Sequence, residues 1–231
     1  MTTVYQGYLG KVTIGVTTIA TMNRWNLPGR RNEILESSAF TDAFKTFVYG
    51  ITEGGQAEFS GFFDDTDATG QALITAAYTG KTSLTNLRFY YGDGDTEFFH
   101  LTPEASLLVE NLEIGEADLS GLVPIKFTLK ISNGYMAKVA GYYNGIDVSF
   151  THNVGASNDT IQKTGGTNFA GLGFLAGQDL IVEGSTDNNT SSAKTFHIKS
   201  AGVAADVLTL DEDTVTTEIA GDDVSLIAFV A

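Results

Sequence analysis

Apolar and polar residues alternate most cleanly in Pro124–Ser132, where Ile125, Phe127, Leu129 and Ile131 fall on one side and Lys126, Thr128, Lys130 and Ser132 on the other. That period of two is the signature of a half-buried strand. Similar patterns predict strands near Lys11–Ala20, Arg31–Ser37, Gln56–Phe63, Leu87–Tyr91, Glu97–Leu101 and Ser106–Ile114. Gly92-Asp93-Gly94-Asp95 lies between two aromatic strands and reads as a hairpin turn. The spacing changes once. After Asp64, Asp65 and Asp67, which offer N-cap side chains, Leu73, Ile74, Ala77 and Tyr78 recur at helical spacing, and Gly80 stops the run. One short helix on an antiparallel sheet is a mainly β, α+β arrangement.

Beyond about Tyr142 the texture shifts. The chain becomes rich in Gly, Asn, Thr and Asp, and only Lys163, Lys194 and Lys199 are basic. Strands are expected at Thr160–Lys163, Leu180–Glu183, Lys194–Lys199, Val207–Leu210 and Val224–Val230. Turn signals separate them, as in a small β-sandwich. Two domains follow, 1–141 and 142–231, with Tyr143-Asn-Gly145 as the hinge. The last strand is apolar on both faces and is expected between neighbours, not at an edge.

Ser38–Gly50, SAFTDAFKTFVYG, is too long for a tight hairpin and too apolar for an ordinary loop, with Phe40, Phe44, Phe47, Val48 and Tyr49. A long apolar connection either meets a partner or folds over its own core. The sequence leaves both open.

The composition, 42% hydrophobic and 11% aromatic over 231 residues, supports a packed core. Cysteine is absent, which excludes disulfides, cysteine-ligated zinc and thiol nucleophiles. No apolar run approaches the ~20 residues of a membrane-spanning helix. The start, MTTVYQGYLGK, has no basic-then-apolar leader pattern, so no signal peptide is expected. The formal charge is −15 and the pI about 4.4. A chain this acidic is not built to grip phosphates. Acidity serves solubility, and it would also let a polyanion slide past without sticking.

No catalytic constellation emerges. Gly80-Lys81-Thr82 lacks the glycine a phosphate loop needs five positions earlier, where Thr75 stands, and it closes a helix instead of opening one. Asp64, Asp65 and Asp67, and again Asp211, Glu212 and Asp213, lack the spaced oxygens of a calcium loop and read as turn and capping residues. His100, His152 and His197 are far apart and share no metal-ligand spacing, and no G-x-S-x-G is present. Trp25 reads as a packing anchor. Asn158-Asp-Thr160 and Asn188-Asn-Thr190 read as turns. The chain is expected to be no enzyme and is assigned no catalytic, cofactor-binding or metal residue.

The order of features resembles the tail tube (major tail) proteins of long-tailed bacteriophages. Trp25-Asn-Leu27 and Arg31–Ser38 look like that family's first strand entering its long loop. Gly55–Tyr78 is similar to its strand, acidic turn and helix block, Leu87–Tyr90 to the next strand, and Val123–Gly134 to the closing strand. The resemblance covers about the first 140 residues. Asn158–Ile161, Gly173–Gln178, Val182–Ser185, Leu208–Leu210 and Glu218–Gly221 resemble an accessory β-domain appended to phage particle proteins.

The resemblance implies six-membered rings that stack into a hollow tube conducting DNA. Partners would be further copies of the chain, the tape-measure protein, the tail terminator and tail-tip proteins, and double-stranded DNA in transit without specific binding. No membrane would be involved. The protein would be assembled in the host cytoplasm and reside in the virion. The loop would reach the adjacent ring, with Phe40, Phe44, Phe47 and Val48 as contacts. The second domain would point outward, and Glu58 would face the lumen if its strand turns that way. A rival reading makes the C-terminal sandwich a surface or secreted glycan-binding module.

Overall fold

The computed structural model describes residues 11–27, 31–36, 45, 47–91, 96–103, 105–116, 121–153, 158–190 and 195–229. The described residues are mainly β, with several antiparallel sheets and one short helix. The elements are β1 (Val12–Ile14), β2 (Thr17–Thr18), β3 (Met22–Asn26), β4 (Arg31–Glu36), β5 (Phe47–Glu53), β6 (Gln56–Phe62), α1 (Gln71–Gly80), β7 (Ser83–Leu84), β8 (Leu87–Tyr90) and β9 (Phe98–Leu101). They continue with β10 (Ser106–Ile114), β11 (Pro124–Ser132), β12 (Met136–Gly145), β13 (Ser149–Thr151), β14 (Thr160–Gln162), β15 (Asp179–Glu183), β16 (Phe196–Val203), β17 (Val207–Leu210) and β18 (Val224–Phe229). The chain forms two compact units, Met1–Asp93 with Ala105–Met136, and Gly94–Glu104 with Ala137–Ala231.

The first unit is built on an antiparallel sheet in the order β3-β6-β11-β10-β7. Alternation sets its two faces. Phe59 stacks on Phe127 at 5.0 Å between ring centres and meets Phe89 edge-on at 6.0 Å. Trp25 sits edge-on to Phe89, and its Nε1 donates to the Tyr90 carbonyl at 2.9 Å, the anchoring role its sequence context suggests. Gly61 is required by contact: a Cβ there would lie 2.1 Å from the Thr21 carbonyl oxygen. The opposite face carries Glu58 and Lys126, 3.5 Å apart and partly exposed.

The acidic turn before α1 is a clamp. Asp67 Oδ2 accepts from the backbone N–H of Ala20 and of Gln71, each at 3.0 Å. Gln71, buried, donates its amide to the carbonyls of Ala20 and Phe62 and accepts from Asp64 N–H. Asp64 accepts from the N–H and hydroxyl of Thr66, and these bonds hold its carboxyl below the ordinary range. The N-cap position itself is Gly70, without a side-chain cap. Of the predicted stripe, Ile74 and Ala77 are buried while Leu73 and Tyr78 flank them in solvent. Lys81, in the left-handed region, ends the helix one residue beyond the predicted Gly80.

The second unit is an antiparallel array in the order β13-β14-β17-β16-β15-β18-β12-β9. It surrounds one apolar core containing Phe150, Phe169, Phe174, Phe196, Leu208 and Leu226. β18 is buried at every position and lies between β15 and β12, as its two apolar faces require. Lys163 is buried with Asp206 Oδ1 and the Gly165 carbonyl each 2.7 Å from its Nζ, beside the rings of Tyr143 and Phe169.

Three local readings differ from the structure. Lys11–Ala20 is a hairpin, β1 to β2, turned at Gly15 with φ of +57°. Tyr143-Asn-Gly145 is the end of a ten-residue strand, not a break, because β18 pairs along it to Gly145. The apolar end of the long connection, Phe47–Gly50, is the first half of β5.

Candidate assembly surface

β4 and β5 form a two-stranded ribbon that pairs with no third strand among the described residues. The register sets Ile34 opposite Tyr49, Leu35 opposite Val48 and Glu36 opposite Phe47, with an irregularity between Asn32 and Ile34. Because side chains alternate along a strand, Ile34, Phe47 and Tyr49 share one face and Leu35 and Val48 the other. All five are exposed, from 45% at Leu35 to 80% at Tyr49. Neither face therefore has a core of its own among the described residues. The polar contacts are slight: Thr52 donates to Asn32 at 2.9 Å, and Lys45 meets Glu36 at 2.8 Å in open solvent. An exposed ion pair of that kind contributes at most about 1 kcal/mol.

An isolated two-stranded ribbon is marginal in water, so its stability must come from whatever covers it. Burying one such side chain contributes roughly 1.5–3 kcal/mol before ordering costs. Phe47 and Val48 are thus presented on this ribbon, away from the unit's own core. Phe40 and Phe44 lie outside the described residues. Glu58 sits elsewhere, on the polar face of the five-stranded sheet, where β11 sets Thr128 opposite it and Lys126 pairs with it. The structure does not bring it to the ribbon.

Sequence spacing hid the side-chain meetings of the second unit. Each histidine faces carboxylate: His100 with Glu183 at 3.2 Å, His152 with Asp159 and Asp213, and His197 with Asp179 at 2.9 Å and with Glu212. The Glu212 bond, and then the charges of Glu212, Asp179 and Asp211, raise the His197 pKa against the opposing effect of burial. Burial, and a hydrogen bond to Asp147, push the Tyr143 phenol up to about 12.

No protein-family model matches this chain, and no curated protein matches it. Among solved structures it is similar to the crystal structure of the SPP1 Dit (gp 19.1) protein, described as a paradigm of the hub adsorption apparatus in Gram-positive-infecting phages. The TM-score is 0.37 and the identity 8%, over 95% of this chain and 97% of that one. A likeness at that level decides neither fold nor function.

Proposed function

We propose that this chain is a non-enzymatic structural subunit of a bacteriophage tail, and more narrowly of the tail tube. Hexameric rings of it stack into a hollow conduit for DNA, assembled with tape-measure, terminator and tail-tip proteins. The observation that carries the reading is the β4–β5 ribbon, which holds five large apolar side chains in solvent on two faces. A second copy is the occupant that fits best, since repetition then covers every ribbon in the assembly. The order of sequence features supports the tube in particular. So does the acidic balance, which suits a passage for a polyanion.

Negative-stain imaging of concentrated protein tests the proposal. Rings or tubes on the order of 100 Å across, a width estimated from domains of this size, are the expected result. A protein that stays monomeric at every concentration, with tape measure and terminator present, overturns it.

A further inference from the structure

We propose that the second unit carries a binding site for one divalent first-row metal ion, of the zinc class, formed by His152, Asp159 and Asp213. It is independent of the tail reading. Three separate segments deliver the ligands. β13 and β14 pair with Thr151 opposite Thr160, so the next residues outward, His152 and Asp159, come together at the strand ends. β14 also pairs with β17, and Leu210 N–H donates to the Asp159 carbonyl, so the turn after β17 brings Asp213 to the same place.

The geometry is that of a ligand set. His152 Nδ1 lies 3.0 Å from Asp159 Oδ1 and 3.4 Å from Asp213 Oδ1, and the three ligand atoms all lie within 4.8 Å of one another. An ion with bonds of about 2.0–2.2 Å holds neighbouring ligands roughly 3–3.6 Å apart, so little movement is needed to admit one. A metal at that point would engage all three groups at once.

The supporting contacts are already in place. Asp159 is fully buried. Its Oδ1 accepts from Asn153 N–H at 2.9 Å and its Oδ2 from Val215 N–H at 2.7 Å, which fixes the carboxylate plane. The backbone N–H of His152 is held by the Thr217 hydroxyl at 3.1 Å. Such outer contacts orient ligands and set affinity. The charge also calls for a cation. Two carboxylates face one imidazole, and the neighbouring Glu212 is committed to His197. A mixed nitrogen and oxygen set favours zinc or a similar ion over calcium or magnesium, which take oxygen ligands. Water would fill the remaining positions, and the ion would tie β13, β14 and the turn after β17 together.

The test uses untagged full-length protein, stripped with chelator and titrated with zinc sulfate by calorimetry, with metal content and Tm measured in parallel. The expected result is one zinc per chain and a raised Tm. His152→Ala, at the partly exposed ligand, and Asp213→Asn, at the exposed one, should each weaken binding at least tenfold, and His197→Ala should leave it unchanged. Circular dichroism confirms that the variants are folded. Absence of stoichiometric zinc, binding that survives both substitutions, loss of binding with His197→Ala, or preference for calcium over zinc would each overturn the assignment.

Discussion

Two segments of this chain send the same message in sequence and meet opposite fates in the fold. Val224–Phe229 and Phe47–Tyr49 are both apolar without regard to face. The first is buried throughout, paired on one side with Leu180–Glu183 and on the other with Tyr142–Gly145. The second stands in solvent, paired among the described residues only with β4. A strand that is apolar on both faces must be covered on both faces. The sequence states that requirement but does not name the source of the cover. For β18 the source is the chain itself. For β5 the chain provides none among the described residues, and the tail reading supplies it from another copy.

Substitutions sharpen this contrast. Leu226→Asp places an unpaired charge in the second unit's core and should cost at least about 4 kcal/mol, seen as loss of cooperative unfolding or of soluble protein. Asp206→Ala leaves the Lys163 ammonium buried without its carboxylate and should cost about 3 kcal/mol in denaturant unfolding. Phe47→Asp with Val48→Asp should change monomer stability by no more than about 0.5 kcal/mol per site, yet abolish assembly. If this pair destabilised the monomer as Leu226→Asp does, the ribbon would belong to the subunit's own core.

The smallest effect concerns pH. The folded protein raises the His197 pKa above its usual 6.5, so its contribution is complete below that value and is lost as pH rises through the folded value. Stability should therefore fall slightly as pH rises above about 6.5, by a few tenths of a kcal/mol for so exposed a group and with a correspondingly small drop in Tm, and His197→Gln should flatten that slope.

Much of the fold was legible. Ile125, Phe127, Leu129 and Ile131 alternate on β11 as the pattern demands, and the helix falls where the spacing changes. Local pattern failed where partners decide. β12 was hidden because Tyr142-Tyr-Asn-Gly145 carries turn-forming residues, which β18 overrides by pairing with them. β5 was hidden because Gly50 interrupts its run, although β4 pairs on both sides of that position. The exposure of Phe47 and Val48, on opposite faces of β5, reflects the lack of a covering layer among the described residues, which local pattern does not state. The meeting of His152, Asp159 and Asp213 depends on two strand pairings at once, so linear spacing carried no trace of it.

Amide hydrogen exchange, comparing monomer with assembled material, addresses the central claim most directly. The account predicts that residues 31–36 and 47–53 exchange rapidly in the monomer and become protected on assembly, while 224–229 are protected in both states. Slow exchange of the ribbon in the monomer, or no gain in its protection on assembly, would contradict it.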